Sequence, residues 1–328
     1  MARIVLTHWV HDEVLDVLRR AGEVASNPTR GSLPRAELTD LAATADALMV
    51  FMPDRVDAEL LDRCPRLRIV AGALKGCDNI DVDACTERGV WVTVVPDLLT
   101  DATADMAVGL MLAVSRRIVA GDALVRAGFP GWRPVLYGER LTGRSVGILG
   151  FGRLGRAVAR RLGGFQVRIR HHDPRAEGSM PLGEMLAWCD HLVVAAPLTP
   201  STRHMIDEAA LARMKPGACL VNVGRGSVVD EEAVARAIET GHLAGYAADV
   251  YEMEDLSRAD RPQTVAPALL ALHEHTVLTP HLGSAVDEVR RDIALAAAGS
   301  ILDALHGRPP RDAVNRPRAP SCSQGKEA

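Results

Sequence analysis

Three glycines in the segment GILGFGRLG, Gly150, Gly152 and Gly155, stand in G-x-G-x-x-G spacing. The pattern carries meaning only when it follows a strand and opens a helix. Here the apolar run Ser145–Leu149 precedes it and the amphipathic run Arg153–Leu162 follows it. In that setting Gly150 allows a tight turn and Gly152 lets the backbone approach a pyrophosphate. Gly155 lets helix and strand pack closely, while the helix N-terminus attracts the phosphates. Asp173 follows Gly155 by 18 residues, just past a second strand-like run, Val167–Arg170. A carboxylate there accepts hydrogen bonds from the adenine-ribose hydroxyls and repels a 2′-phosphate, which favours NAD over NADP. Arg168, Arg170 and Arg175 are local signals in the other direction.

A second constellation lies downstream. Arg225 in VNVGRGSVVD and His281 in TPHLGSA each follow a strand-like run, and Glu254 sits in ADVYEMED. In open α/β sheets the ligand crevice lies at the carboxyl ends of strands. An arginine there can hold an oxyanion, and a histidine can exchange a proton near neutral pH. A glutamate beside that histidine orients the imidazole and stabilises its charged form. The six cysteines, Cys64, Cys77, Cys85, Cys189, Cys219 and Cys322, show no C-x-x-C pair and no metal-ligand spacing. No metal is expected, and the cysteines read as free thiols of a reducing cytoplasm.

The elements that must position these residues follow from hydrophobic patterning. A length of 328 residues favours two domains. Strand-like runs alternate with helical ones, the signature of βαβ units and parallel sheets. A first set, Arg3–Leu6, Ala47–Phe51, Leu67–Ala71 and Trp91–Val95, suggests a small flavodoxin-like domain, with a helix over Val10–Ala21 and a loop over 24–36. A long helical stretch over 99–127 is apolar nearly all round, as a helix buried between domains or subunits is. A second set, Ser145–Leu149, Val167–Arg170, Leu192–Ala195, Cys219–Val223, Gly245–Asp249 and Val277–Thr279, gives the six strands of a doubly wound Rossmann domain. A last amphipathic helix covers about Val286–Leu305, and the Pro- and Arg-rich tail from Gly307 reads as extended or disordered.

Composition narrows the function class. A formal charge of −4 argues against a nucleic-acid binder, and the apolar runs are too short to span a membrane. The N-terminus reads as a strand rather than a signal peptide, which points to a cytoplasmic enzyme. Only three of the 38 basic residues are lysine: Lys75, Lys215 and Lys326. Phe129, Trp132 and Tyr137 cluster in one Gly- and Pro-containing stretch, as in a lid or an intersubunit contact.

Through GILGFGRLG, the segments around Arg225 and Glu254, and PHLGSA, the chain resembles the D-isomer-specific 2-hydroxyacid dehydrogenase family over nearly its whole length. The resemblance implies that Arg225, Glu254 and His281 form the catalytic set. It implies a discontinuous substrate domain, 1–98 and 285–328, flanking an NAD-binding domain at 99–284 whose long helix joins a homodimer. It assigns Arg153, Leu154, Pro174, Thr103, Pro197, Val223, Asp249 and Gly283 to the cofactor, beside the three glycines and Asp173.

Several segments resemble one branch of that family, the phosphonate (phosphite) dehydrogenases: FMPDRVDAELL, ALKGCDNIDVDACTERGVW, VPDLLT, GYAADVYEMEDLSRADRP and PHLGSAVDEVRRDI. Phosphite is a compact dianion, so its site needs more positive charge than a monocarboxylate site. This resemblance assigns Lys75, Arg225 and Arg290 to the substrate, with Met52, Gly76, Leu99, Trp132 and Tyr137 around it. The implied reaction is oxidation of phosphite to phosphate with NAD. The alternatives are a D-2-hydroxyacid dehydrogenase acting on glyoxylate or hydroxypyruvate, and an NADH-sensing, corepressor-like binding protein. The chain between Asp173 and Leu192 is shorter than that branch leads one to expect, so the helix between those strands must be short.

Overall fold

The computed structural model describes residues 1–95, 97–129, 131–132 and 136–317. The chain divides into two compact units, Met1–Leu99 with the chain from Asp287, and Thr100–Val286.

The first unit runs β1 (Ala2–Leu6), α1 (Asp12–Arg19), β2 (Gly22–Ser26), α2 (Arg35–Ala42), β3 (Ala47–Val50), α3 (Ala58–Asp62), β4 (Ile69–Gly72), α4 (Val82–Glu87) and β5 (Trp91–Thr93). All pairings are parallel, in the order β2-β1-β3-β4-β5. That is the flavodoxin-like order. Residues 22–26, expected within or beside a loop, form the edge strand β2. With Glu23 exposed and Val24 and Ala25 half-buried, it lacks the apolar run that marks the central strands.

The second unit runs α5 (Thr100–Ser115), α6 (Ile118–Arg126), β6 (Ser145–Leu149), α7 (Arg153–Leu162), β7 (Arg168–His172), α8 (Leu182–Trp188), β8 (His191–Val194), α9 (Glu208–Arg213), β9 (Ala218–Asn222), α10 (Glu231–Glu239), β10 (Leu243–Ala248), α11 (Pro267–Ala271) and β11 (Thr276–Leu278). Its six parallel strands are ordered β11-β10-β9-β8-β6-β7. A dinucleotide-binding sheet usually has one more strand outside the second, in the order 3-2-1-4-5-6. Here β7 is the edge, because only the short helix α8 separates it from β8 on the far side of β6. The short connection noted in the sequence is the absence of that outer strand.

The helical stretch after residue 99 is two helices. Arg117 takes a left-handed conformation, φ +52°, and breaks it. Only α5 is substantially buried, packed on α7, β9 and β10, while α6 buries no residue within the chain.

The chain returns to the first unit with α12 (Asp287–Leu305), whose Ile293, Ala297, Ala298 and Ile301 join a core with Ile4, Leu6, Leu18 and Met49. Beyond Gly307 the described part of the tail is irregular, with a turn at Arg311–Asp312, and it is anchored as far as Asn315. Ala313 bridges Thr93, and Asn315 accepts a hydrogen bond from the Val92 N–H at 2.8 Å.

Candidate active site

In the second unit, the order reverses between β6 and β8, and the loop after each strand bears a residue singled out from the sequence. Gly150 follows β6 in a left-handed conformation, φ +89°, and a Cβ there would stand 2.7 Å from Ala196 beyond β8. A Cβ on Gly155 would meet the Gly150 carbonyl at 2.1 Å. These two glycines are required by packing. Gly152 is different, since a Cβ there meets nothing within 4 Å. It is the N-cap of α7, and no side-chain hydrogen bond caps it. The first amides of α7 therefore open onto space beside a residue without a side chain, which fits a dinucleotide pyrophosphate. Arg153 is exposed at the start of α7, and Leu154 packs beside the core.

Asp173 follows β7. It accepts the Phe151 N–H at 2.9 Å and the Arg175 N–H at 3.0 Å, which joins the β7 loop to the glycine turn. Burial pushes its carboxyl up, but those backbone donors outweigh it and hold the group below the usual carboxylate range. Pro174 beside it is exposed. Arg168 is not near this loop. It lies at the opposite end of β7, donating to the Ser145 hydroxyl at 2.9 Å, so it drops out as a candidate phosphate ligand.

Arg225 follows β9 in extended backbone. Its loop is fixed by Asn222, which donates to the Arg225 carbonyl at 3.1 Å and accepts the Gly224 N–H at 3.1 Å. Val223 is buried, and Pro197 after β8 is exposed, its carbonyl accepting from Thr202 at 2.7 Å. Glu254 ends a single helical turn, Glu252–Glu254, after β10. His281 follows β11 with φ +55°. Its Nδ1 lies 2.6 Å from Glu254 Oε2, with both side chains partly exposed. The carboxylate accepts a hydrogen bond from the Nδ1–H, which leaves Nε2 for a reactant.

Asp249 holds the His281 loop. It accepts from the Thr279 hydroxyl at 2.5 Å, from the Leu282 N–H at 2.7 Å and from the Gly283 N–H at 2.7 Å. Thr103 closes the group: a Cβ on Gly283 would meet both Thr103 and Asp249 at 3.1 Å. Three residues assigned to the cofactor from sequence are thus together, and both Asp249 oxygens are used in shaping the loop. Tyr251, unnoticed in the sequence, bridges the Ala248 and Thr279 carbonyls at 3.1 and 3.0 Å, tying the Glu254 and His281 arms together. No spacing rule marks it.

Two cations that the resemblance assigned to the substrate, Lys75 and Arg290, lie in the first unit. Arg290, one turn into α12, lies over the Phe51 ring at 5.5 Å, and Met52, which follows Phe51 in the chain, is half-buried. Burial lowers its pKa. Lys75 and Gly76 are half-buried in the turn after β4, whose Ala73 N–H bonds the Val50 carbonyl of β3 at 2.9 Å. Leu99 packs against this unit's core. Trp132 and Tyr137 are 88% and 76% exposed, so they are not core residues, and part of their stretch lies outside the described residues. Burial pushes the Cys64 thiol up to about 11 and those of Cys85, Cys189 and Cys219 up to about 12. That disfavours a thiolate nucleophile among them; Cys322 lies outside the described residues.

Among the described residues no helix is long and apolar enough to cross a membrane. Residues 108–283 match the family model "D-isomer specific 2-hydroxyacid dehydrogenase, NAD binding domain". A curated relative from Thermococcus gammatolerans, named glyoxylate reductase, is 39% identical over 96% of this chain and 96% of its own length. The TT0316 protein of Thermus thermophilus superposes with a TM-score of 0.86 at 37% identity, covering 95% of this chain and all of that one. An NADPH-dependent glyoxylate/hydroxypyruvate reductase from Sinorhizobium meliloti, solved with NADP and malonate, gives 0.81 at 30% identity over 97% of this chain and 99% of that one. Two of these three relatives are named for glyoxylate and none for phosphite. Fold, cofactor cradle and relatives together make the chain an NAD-dependent dehydrogenase, and it belongs to the D-isomer specific 2-hydroxyacid dehydrogenase family.

Proposed function

We propose that the chain reduces a small 2-oxoacid of the glyoxylate or hydroxypyruvate class, and runs the reverse oxidation of the 2-hydroxyacid. The observation that carries this reading is the His281–Glu254 pair, 2.6 Å apart in the unit that carries the glycine cradle. Bound NADH supplies the hydride. His281 Nε2 gives a proton to the carbonyl oxygen as the carbon takes the hydride, and Glu254 stabilises the imidazolium beforehand. Arg225 binds the carboxylate. The names of the relatives support this substrate class.

A second reading is oxidation of phosphite, and a specific observation favours it. The branch resemblance assigns Lys75 and the half-buried Arg290 of the first unit to the substrate, and a dianion calls for more positive charge than a monocarboxylate. In that reaction bound NAD would serve as hydride acceptor, and His281 would take the proton from the water that attacks phosphorus. The phosphite reading rests on the branch resemblance and these cations; the comparisons lend it no support.

The deciding experiment is one panel. NADH oxidation is followed with glyoxylate and hydroxypyruvate, and NAD reduction with phosphite, glycerate and lactate. Turnover of glyoxylate without phosphite supports the first reading. Turnover of phosphite alone replaces it with the second. Saturable NADH binding with no turnover of any of them points to a sensor.

We also propose a homodimer. The exposed Ile118, Val119 and Val125 of α6 give a second copy an apolar face to cover.

A further inference from the structure

Beside Glu254 lies a pair of buried acids that the proton-handling pair does not itself require. Glu231, 2% exposed, opens α10, and Glu252, 7% exposed, opens the turn that ends in Glu254. Each caps the other's backbone. Glu231 Oε1 accepts the Glu252 N–H at 2.7 Å, and Glu252 Oε1 accepts the Glu231 N–H at 3.1 Å. The other Glu231 oxygen accepts the Ala266 N–H at 3.1 Å. The other Glu252 oxygen meets His204 Nε2 at 2.8 Å. All four carboxylate oxygens are engaged.

Two carboxylates buried side by side are costly, and burial together with the charge of Glu252 pushes the Glu231 carboxyl up. The cost is not incurred to start α10, because Asp230 already caps that helix through the Ala233 N–H at 2.9 Å. Glu231 is instead aimed at the turn bearing Glu254. The same turn is backed by Gly226, where a Cβ would fall 2.4 Å from the Glu252 nitrogen. His204 is itself fixed in a left-handed conformation, φ +47°, with its N–H on the Ser227 carbonyl at 2.8 Å.

We propose that Glu252, locked by Glu231 and His204, is a positioning residue that sets where Glu254 meets His281. The proposal rests on the reading of Glu254 and His281 as the proton-handling pair. It makes the lock act through Glu254 rather than on substrate or cofactor.

The test is a double-mutant cycle of Glu252→Gln and Glu254→Gln. It is assayed as glyoxylate reduction with NADH and as phosphite oxidation with NAD. Thermal melting and NADH titration establish folding, and His204→Gln serves if Glu252→Gln does not fold. The expected result is a loss in kcat on the order of 10- to 100-fold for Glu252→Gln, the scale that a misplaced catalytic group produces, with NADH affinity unchanged. Its pH–rate profile moves to lower pH, because an imidazole with weaker carboxylate support gives up its proton more easily. In the Glu254→Gln background the same substitution adds nothing. Equal losses in both backgrounds, or a loss of melting temperature without a loss of kcat, overturn the proposal. Parental kcat in Glu254→Gln alone overturns the underlying reading as well, and that outcome is seen in the single variant.

Discussion

Asp249 Oδ2 accepts the backbone N–H of Gly283 at 2.7 Å, while its Oδ1 takes the N–H of Leu282 and the hydroxyl of Thr279. One carboxylate thus organises the turn in which His281 adopts positive φ. An amide cannot replace it, since its NH2 must face a donor. Asp249→Asn is expected to cost about 1–3 kcal/mol, the penalty for donors left unpaired, and to lower kcat. Melting curves and steady-state kinetics check this, and an Asn variant with parental values for both would contradict it.

The two helix-proximal glycines should separate folding from cofactor binding. Gly155→Ala drives a Cβ to within 2.1 Å of the Gly150 carbonyl and should destabilise the domain. Gly152→Ala meets no protein atom within 4 Å and should leave the melting temperature in place. If the pyrophosphate lies there, the Gly152 variant raises the KM for NAD. Differential scanning calorimetry with an NAD titration reads both effects; normal NAD affinity in Gly152→Ala would move the phosphates elsewhere.

His191, fully buried at the start of β8, has both ring nitrogens without a hydrogen-bond partner, and burial pushes its pKa down from 6.5 to about 4. The folded state resists its protonation more than the unfolded state does. Above pH 6.5 the ring is neutral in both states, so no protonation penalty applies. Stability is then lost as pH falls from 6.5 towards 4, where the loss levels off at about 3 kcal/mol. Urea midpoints for the parent and His191→Leu should diverge in slope across that window. Parallel slopes would show that His191 does not titrate there.

The face of α6 gives a prediction on assembly. Val125 is 59% exposed and Ile118 54%, and a carboxylate in a covered apolar face is strongly unfavourable. Val125→Asp should convert a dimer to a monomer in light scattering, with the far-ultraviolet circular dichroism preserved. A parent chain that elutes as a monomer removes the premise.

Local sequence determined a great deal. The alternation of apolar runs with amphipathic ones marked nearly every strand, because side-chain periodicity is a property of neighbouring residues. The glycine spacing between a strand and a helix marked the cofactor cradle. Arg225, Glu254 and His281 were legible as residue types just past strand ends. What needed the tertiary structure was long-range. The half-exposed strand Gly22–Ser26 pairs only because β1 lies beside it. Arg117 breaks an otherwise continuous apolar helix through a backbone angle that its side chain does not advertise. Arg168 and Asp173 are near neighbours in sequence yet lie at opposite ends of β7, so only one stays at the cradle. Among the acids between 249 and 255, composition could not say which face His281, which shape its loop and which lock the turn. That was decided by hydrogen bonds between residues about 20 to 35 positions apart, since buried carboxylates go wherever the fold leaves backbone donors unpaired.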